Sequence, residues 1–181
     1  MFRGGWSTLL SRRAWLAGAG LLGLGGCGFR PLYGPAGGTG DAGVAAELAT
    51  IRVGLVGERF GQLMRRELQQ RLSRGGEGAA VYELRTAPVL VAEGLGYIED
   101  GTTTRVRYIG TANWVLVRLG PAAVPVAQGS ERVTEAFNVV QNQFFAVDIS
   151  RDAAERRIAS LLAEEVVTRL AAEFHRRPGL V

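Results

Sequence analysis

Thr102-Thr-Thr-Arg-Val-Arg-Tyr-Ile-Gly-Thr-Ala-Asn-Trp-Val-Leu-Val-Arg-Leu119 is the longest and most regular strand candidate in the chain. Val106, Tyr108, Ala112, Trp114 and Leu116 alternate there with Arg105, Arg107, Thr111 and Asn113. Successive side chains of a strand point to opposite faces, so this period of two predicts a sheet with one buried and one wet face. Short turns join neighbouring strands only when the strands run antiparallel. Both flanks supply such turns, Glu99-Asp100-Gly101 on one side and Gly120-Pro121 on the other.

Outward from this strand the periodicity places the remaining elements. Val81 to Leu95 sets Tyr82, Leu84 and Leu90 on one face. Pro88 interrupts it, and because proline has no N–H for the ladder it implies an edge position or a bulge. Val126 to Val139 reads as a more polar strand with Val133 and Phe137 inward. Ahead of all three, Ile51-Arg-Val-Gly-Leu-Val56 alternates Ile51, Val53 and Leu55 against Arg52 and Gly54, a half-buried strand that Gly57 ends. From Glu58 to about Arg74 the period becomes helical, with Phe60, Leu63, Met64, Leu68 and Leu72 on one stripe and Gly75-Gly76 as the stop. Ser150-Arg-Asp-Ala-Ala-Glu155 opens a second, longer helix with Ser150 or Asp148 as its N-cap. Asp152 and Glu155 then fall in its electropositive first turn. Ile158, Leu161, Leu162, Val166, Leu170 and Phe174 form its apolar stripe, and Phe144-Phe145 just ahead is placed as a hydrophobic staple into it. The order is β-α-β-β-β-α. The expected fold is α+β and two-layered: a small, mostly antiparallel four-stranded sheet covered on one face by two helices.

The N-terminal part has a different composition. Leu24-Gly25-Gly26-Cys27 has the form of a lipobox, an aliphatic residue and two small residues before the chain's single cysteine. Small residues let an extended backbone lie close in a peptidase groove, and the thiol is the strongest nucleophile available for diacylglyceryl transfer. Arg3, Arg12 and Arg13, an apolar stretch from Ala14 to Leu24, and then glycines make a secretory signal. The apolar stretch is shorter than the roughly 20 residues of a permanent bilayer helix. Ser11-Arg-Arg-Ala-Trp-Leu16 also has the form of a twin-arginine export signal, which leaves the Sec and twin-arginine routes both open. Gly18 to Gly23 matches G-x-G-x-x-G but follows no strand and opens no βαβ unit, so it is signal-peptide glycine. Cleavage between Gly26 and Cys27 removes residues 1–26 and leaves Cys27 carrying N-acyl and S-diacylglyceryl lipid. Gly28, where an aspartate is the inner-membrane retention signal of bacterial lipoproteins, favours the outer membrane. Residues 27–48 then form the lipidated N-terminus and a tether, flexible from Gly34 to Gly43, and a single domain spans 49–181.

Three of the 21 basic residues precede Cys27 and none of the 17 acids does, so the mature chain is close to neutral. A basic nucleic-acid-binding domain is not supported. All bases are arginine. The single histidine, His175, sits among arginines in the last turn of the final helix, where it serves as a cap. With one histidine and one cysteine there is no zinc-ligand spacing, no nucleophile–histidine arrangement and no phosphate loop. No catalytic residues, metal or cofactor are expected; the composition favours a binding or assembly protein. Arg105 and Arg107, two apart on a strand, share a face and suit phosphate or carboxylate, with Arg118 and Arg132 extending a cationic surface. Trp114, Tyr108, Phe137, Phe144 and Phe145 are read as packing residues.

Several segments together resemble the LptE (RlpB) family of lipopolysaccharide-assembly lipoproteins. They are Gly26-Cys-Gly-Phe-Arg-Pro-Leu-Tyr-Gly34, Gly61-Gln-Leu-Met-Arg-Arg-Glu-Leu68, Thr103-Thr-Arg105, Phe137-Asn138 and Gln143-Phe-Phe-Ala146. The resemblance implies a non-enzymatic protein in the inner leaflet of the outer membrane. Its partners would be an LptD-type β-barrel, which it plugs and helps assemble, and lipopolysaccharide (LPS). It also implies a small sheet backed by two helices, in agreement with the order above. With no lysine in the chain, contacts to LPS phosphates fall to arginine, and Arg105 and Arg107 are the candidates by charge and position. Two other classes also fit a lipobox: an auxiliary lipoprotein of an ABC-type lipid transporter and a lipid-anchored periplasmic enzyme.

Overall fold

The computed structural model describes residues 39–73, 79–141 and 143–177. In chain order these form α1 (Thr39–Ala49), β1 (Ile51–Val53), α2 (Arg59–Leu72), β2 (Tyr82–Tyr97), β3 (Thr103–Arg118), β4 (Val124–Asn138) and α3 (Phe144–Arg176). The strands make one sheet in the order β1-β2-β3-β4. β1 runs parallel to β2, while β2–β3 and β3–β4 are antiparallel. The expected α+β architecture is the observed one, with a third helix added at its start.

β3 is the spine of the sheet. Tyr108, Ala112, Trp114 and Leu116 are buried on the face that the helices cover. Gly110, in the same row of side chains, is where α3 comes closest: a Cβ there would lie 2.5 Å from Ile158 Cγ2 and 2.9 Å from Leu162 Cδ1. Gly129 of β4 makes room in the same way for the Trp114 ring, which a Cβ would meet at 2.5 Å. Van der Waals contact begins a full ångström farther out, so both glycines are required by packing. The buried stripe of α2 is Phe60, Met64, Leu68 and Leu72, as its period demands. Ala154, Ile158, Leu162, Val166, Leu170 and Phe174 carry that of α3. Small alanines between the large residues let α3 lie low over β3 and β4.

The Pro88 expectation holds in a specific way. Leu119 donates its N–H to Val81 O (2.8 Å), and Gly54 donates to Leu84 O (2.9 Å). Odd-numbered backbone groups of β2 therefore face β3, and even-numbered ones face the β1 side. β1 pairs only with Tyr82 to Leu84, so the nitrogen of Pro88 looks out of an open edge where no ladder bond is lost. The irregularity lies further on, at register shifts around Gly96.

Four expectations are corrected. Thr39–Gly43, read as part of a flexible tether, belong to a helix that runs to Ala49, because Val44 and Leu48, four apart, dock into the core. β1 stops at Val53, and Leu55 is exposed instead of inward, since the chain leaves the sheet to enter α2. α3 begins at Phe144, so Ser150 lies inside it and is not its cap; the Ser150 hydroxyl donates back to Ala146 O (2.7 Å). Leu161 sits at the margin of the α3 stripe and is exposed. The helix stop expected at Gly75-Gly76 lies outside the described residues.

Charge pairs fasten the helix layer. Arg71 of α2 bonds Glu67 (2.7 Å) and the Ser160 hydroxyl of α3 (2.9 Å). Arg59 pairs with Asp152 and reaches Glu155 at 3.7 Å. Asp152 and Glu155 thus hold α2 rather than a helix terminus. From α3, Arg157 bonds Glu135 (2.7 Å) and Arg169 lies 3.6 Å from Glu131, both on β4.

Candidate functional site

Cys27 and Gly26 lie outside the described residues. Arg105 and Arg107 stand on the uncovered face of β3, as their spacing requires. Arg107 is held by Glu93, directly across on β2, at 2.6 Å. Arg105 is exposed beside Asn138 and has no acidic partner among the described residues. Arg132 shares this face but pairs in register with Thr111, well along the sheet from Arg105. Arg118 does not share it. Its row contains Tyr82, whose side chain belongs to the helix-covered face, so the four arginines do not make one cationic surface.

On the opposite face, near the start of β2, the phenolic hydroxyl of Tyr82 is pushed up by burial, a shift that Arg118 opposes and Glu47 reinforces. Burial also raises the Glu47 carboxyl of α1, and nearby His175 of α3 lowers it. The Tyr82 ring packs on Phe174 with centroids 5.7 Å apart. This end of the molecule is closed by α1.

The other end is open. β2 and β3 meet there in a hairpin whose tip is Glu99-Asp100-Gly101, as read from the sequence. Gly101 adopts φ +83°, Ile98 donates to Thr102 O (3.1 Å), and the Thr102 N–H donates to Asp100 Oδ1 (2.8 Å). β4 ends beside the same hairpin, with Val139 donating to Thr104 O (2.8 Å). α3 returns antiparallel to β4, and the Arg157–Glu135 pair fixes its height. From Arg157 back to Phe144 the helix climbs about 20 Å at 1.5 Å per residue. From Glu135 to Asn138 the strand climbs only about 10 Å at 3.3 Å per residue. The first two turns of α3 therefore overhang the end of β4, while β3 and β2 run on to Thr103 and Tyr97.

That overhang is apolar. Phe144 is 81% exposed, Phe145 88% and Ile149 71%. Tyr97 and Ile98 of the hairpin and Val140 after β4 are also exposed at this end. On α3 and α2 the charges near it are paired within the chain, Arg151 with Asp148 at 2.6 Å and Arg59 with Asp152, whereas Arg105 at the hairpin is not. Beside Ile149 a groove of about 670 Å³ runs between α2 and α3 over Tyr108. Reading Phe144-Phe145 as a staple missed this surface. Phe145 and Ile149 are four residues apart, helical neighbours, and that spacing was the available signal.

Among the described residues no group of three or more His, Cys, Asp or Glu converges as a metal site, and no helix is long and apolar enough to cross a membrane.

The family model for lipopolysaccharide assembly, LptE, matches residues 48–170, from the end of α1 through most of α3. The chain belongs to the LptE family. The matched span includes the Gly61–Leu68, Thr103–Arg105 and Phe137–Ala146 segments, while the Cys27 string precedes it. The fold is shared with a lipoprotein of Caulobacter crescentus at TM-score 0.60 and 20% identity, over 73% of this chain and 96% of that one. It is also shared with lipoprotein B of Nitrosomonas europaea at TM-score 0.51 and 11% identity, over 68% and 81%. Rare lipoprotein B of Shewanella oneidensis aligns at TM-score 0.49 and 13% identity, over 68% and 92%. No curated protein matches the chain at significant sequence similarity. LptE-family membership places the chain with lipopolysaccharide-assembly lipoproteins, a family described by assembly rather than by a catalysed reaction.

Proposed function

We propose that this protein is a non-enzymatic outer-membrane lipoprotein that assembles with and plugs an LptD-type β-barrel and binds LPS on its way to the cell surface. The observation that carries this reading is the lipopolysaccharide-assembly family match over residues 48–170, most of the folded domain. The lipobox supports the anchor: residues 1–26 are removed as a signal, and Cys27 holds the lipid in the periplasmic leaflet of the outer membrane. The domain 49–181 then hangs from the segment 27–48, whose last part is helical. Arg105 supports the LPS contact, because an exposed guanidinium without an acidic partner keeps its N–H donors for a phosphate. Arg107 shares its charge with Glu93 and contributes less.

The test is purification of C-terminally tagged full chain from detergent-solubilised outer membranes, with mass spectrometry of the partners and an assay for LPS. A stoichiometric large β-barrel together with LPS is expected. Recovery of an inner-membrane transporter, or of no partner, contradicts the reading.

A further inference from the structure

We infer that the open edge of β2 around Leu90 accepts an extended strand of a partner protein, which widens the sheet by one strand. The inference rests on the proposed function, in which that partner is the β-barrel protein, and it adds how the two chains join. Beyond Leu84, where β1 stops, the outward backbone groups of β2 meet no other strand among the described residues. They include the carbonyl of Pro88 and both the N–H and the carbonyl of Leu90 and Ala92. At the far end the Tyr97 hydroxyl donates to Gly94 O (3.3 Å), so the open stretch lies between the end of β1 and Gly94. Such a row of groups is a template for one more strand, and only extended polypeptide repeats its donors and acceptors at the same spacing.

The other edges of the sheet are guarded. β1 is three residues long with Arg52 at its centre. β4 carries Glu131, Arg132 and Glu135, and Arg169 and Arg157 of α3 reach Glu131 and Glu135. Short length and charge are the usual devices against edge pairing. β2 has Pro88 and, at its end, the irregularity near Gly96, yet Val89-Leu-Val-Ala92 between them has no charge. The nearest charges, Arg85 and Glu93, are held by Glu83 and Arg107. Val89 and Val91 are 54% and 48% exposed on the uncovered face, where Val91 adjoins the buried Ile109. The entering strand therefore has an uncharged centre and apolar side chains on that face. A second copy is a poorer match. Self-pairing about a two-fold axis puts Pro88 of both copies, or the Gly94 carbonyls already taken by Tyr97, into one short ladder. A foreign strand meets a single proline.

Proline at an outward position removes an edge donor without touching the β2–β3 ladder, and the Ala92 side chain is exposed. The experiment compares tagged full-length wild type, Ala92→Pro, Ala92→Ser, which keeps the N–H, and Val91→Lys, which sets a charge on the apolar face. Each is purified from outer membranes and quantified for barrel, with thermal melts of the isolated proteins alongside. A loss of barrel of about tenfold or more from Ala92→Pro and Val91→Lys, with wild-type recovery from Ala92→Ser and unchanged melts, supports strand addition. Should Ala92→Pro melt early, Val91→Lys decides by the same loss. Undiminished barrel with Val91→Lys, or with Ala92→Pro at an unchanged melt, overturns the inference and leaves the proposed function standing. No barrel with wild type removes both. A wild-type dimer in sedimentation that Ala92→Pro abolishes, with barrel recovery unchanged, assigns the edge to a second copy and also overturns the inference.

Discussion

The two parts of α3 obey different rules. From Ala154 to Phe174 the helix buries a continuous stripe, four of whose large residues, Ile158, Leu162, Val166 and Leu170, have no exposed surface. Over Phe144 to Ile149 equally apolar side chains lie in water. Composition does not separate them; position along the helix does. β4 ends at Asn138, and past that level α3 leaves Phe144, Phe145 and Ile149 exposed while Ala146, Val147 and Ser150 stay partly covered. Folding accounts for the first set of apolar residues and gives no reason for the second. The lesson is that periodicity finds a helix face, while the layer beneath decides whether that face belongs to the core.

The largest effect that sharpens this contrast is expected in the buried stretch. Leu162→Ala removes a side chain seated against the Gly110 notch and is expected to cost about 2–5 kcal/mol in urea unfolding. A cost under about 1 kcal/mol would mean that α3 does not hold the core as described. Gly110→Val tests the same contact from the strand. Its branches meet Ile158 and Leu162, and the helix must lift, at about 1–3 kcal/mol.

Next comes a pH effect confined to the covered face. Burial raises the hydroxyl pKa of both Tyr82 and Tyr108 above that of a free tyrosine. A buried neutral phenol gives stability that is complete below the unfolded-state value and lost as pH rises through the raised native value. The chain has no lysine, and its arginines stay charged above pH 12. Stability is therefore expected to hold to about pH 9 and then to fall as the tyrosines ionise. Tyr82→Phe should flatten that fall, measured as the urea midpoint between pH 8 and 11; an unchanged slope would remove Tyr82 as a source. The smallest effect belongs to the overhang. Phe145→Ser is expected to change stability by no more than about 0.5 kcal/mol, because its ring makes no core contact to lose.

Much of this fold was legible in the residues. The alternation through Tyr108, Ala112, Trp114 and Leu116 identified both the central strand and its covered face, and Met64 and Leu68 identified the inner side of α2. Val133 and Phe137 point inward as read, and Pro88 marked the open edge. What failed depended on tertiary context. A glycine-containing segment became α1 because Val44 and Leu48 find a site on the core, which no local propensity reveals. Ser150 and Asp148 looked like caps, yet a serine inside a helix can bond back to the preceding turn, and this one does. The four-arginine surface failed on parity: Arg118 is an odd number of residues from Arg105 and Arg107 and so faces the other way. The apolar overhang was legible only as two adjacent phenylalanines, since their exposure depends on tertiary context.

Amide hydrogen exchange along α3 in the free protein tests the division of this helix most directly. The first four N–H groups of a helix lack intrahelical acceptors, so the informative amides are those of residues 148–151 against those of 162–170. In the free protein 148–151 should exchange quickly and 162–170 close to the rate set by global unfolding. Equal protection of both stretches would contradict the account.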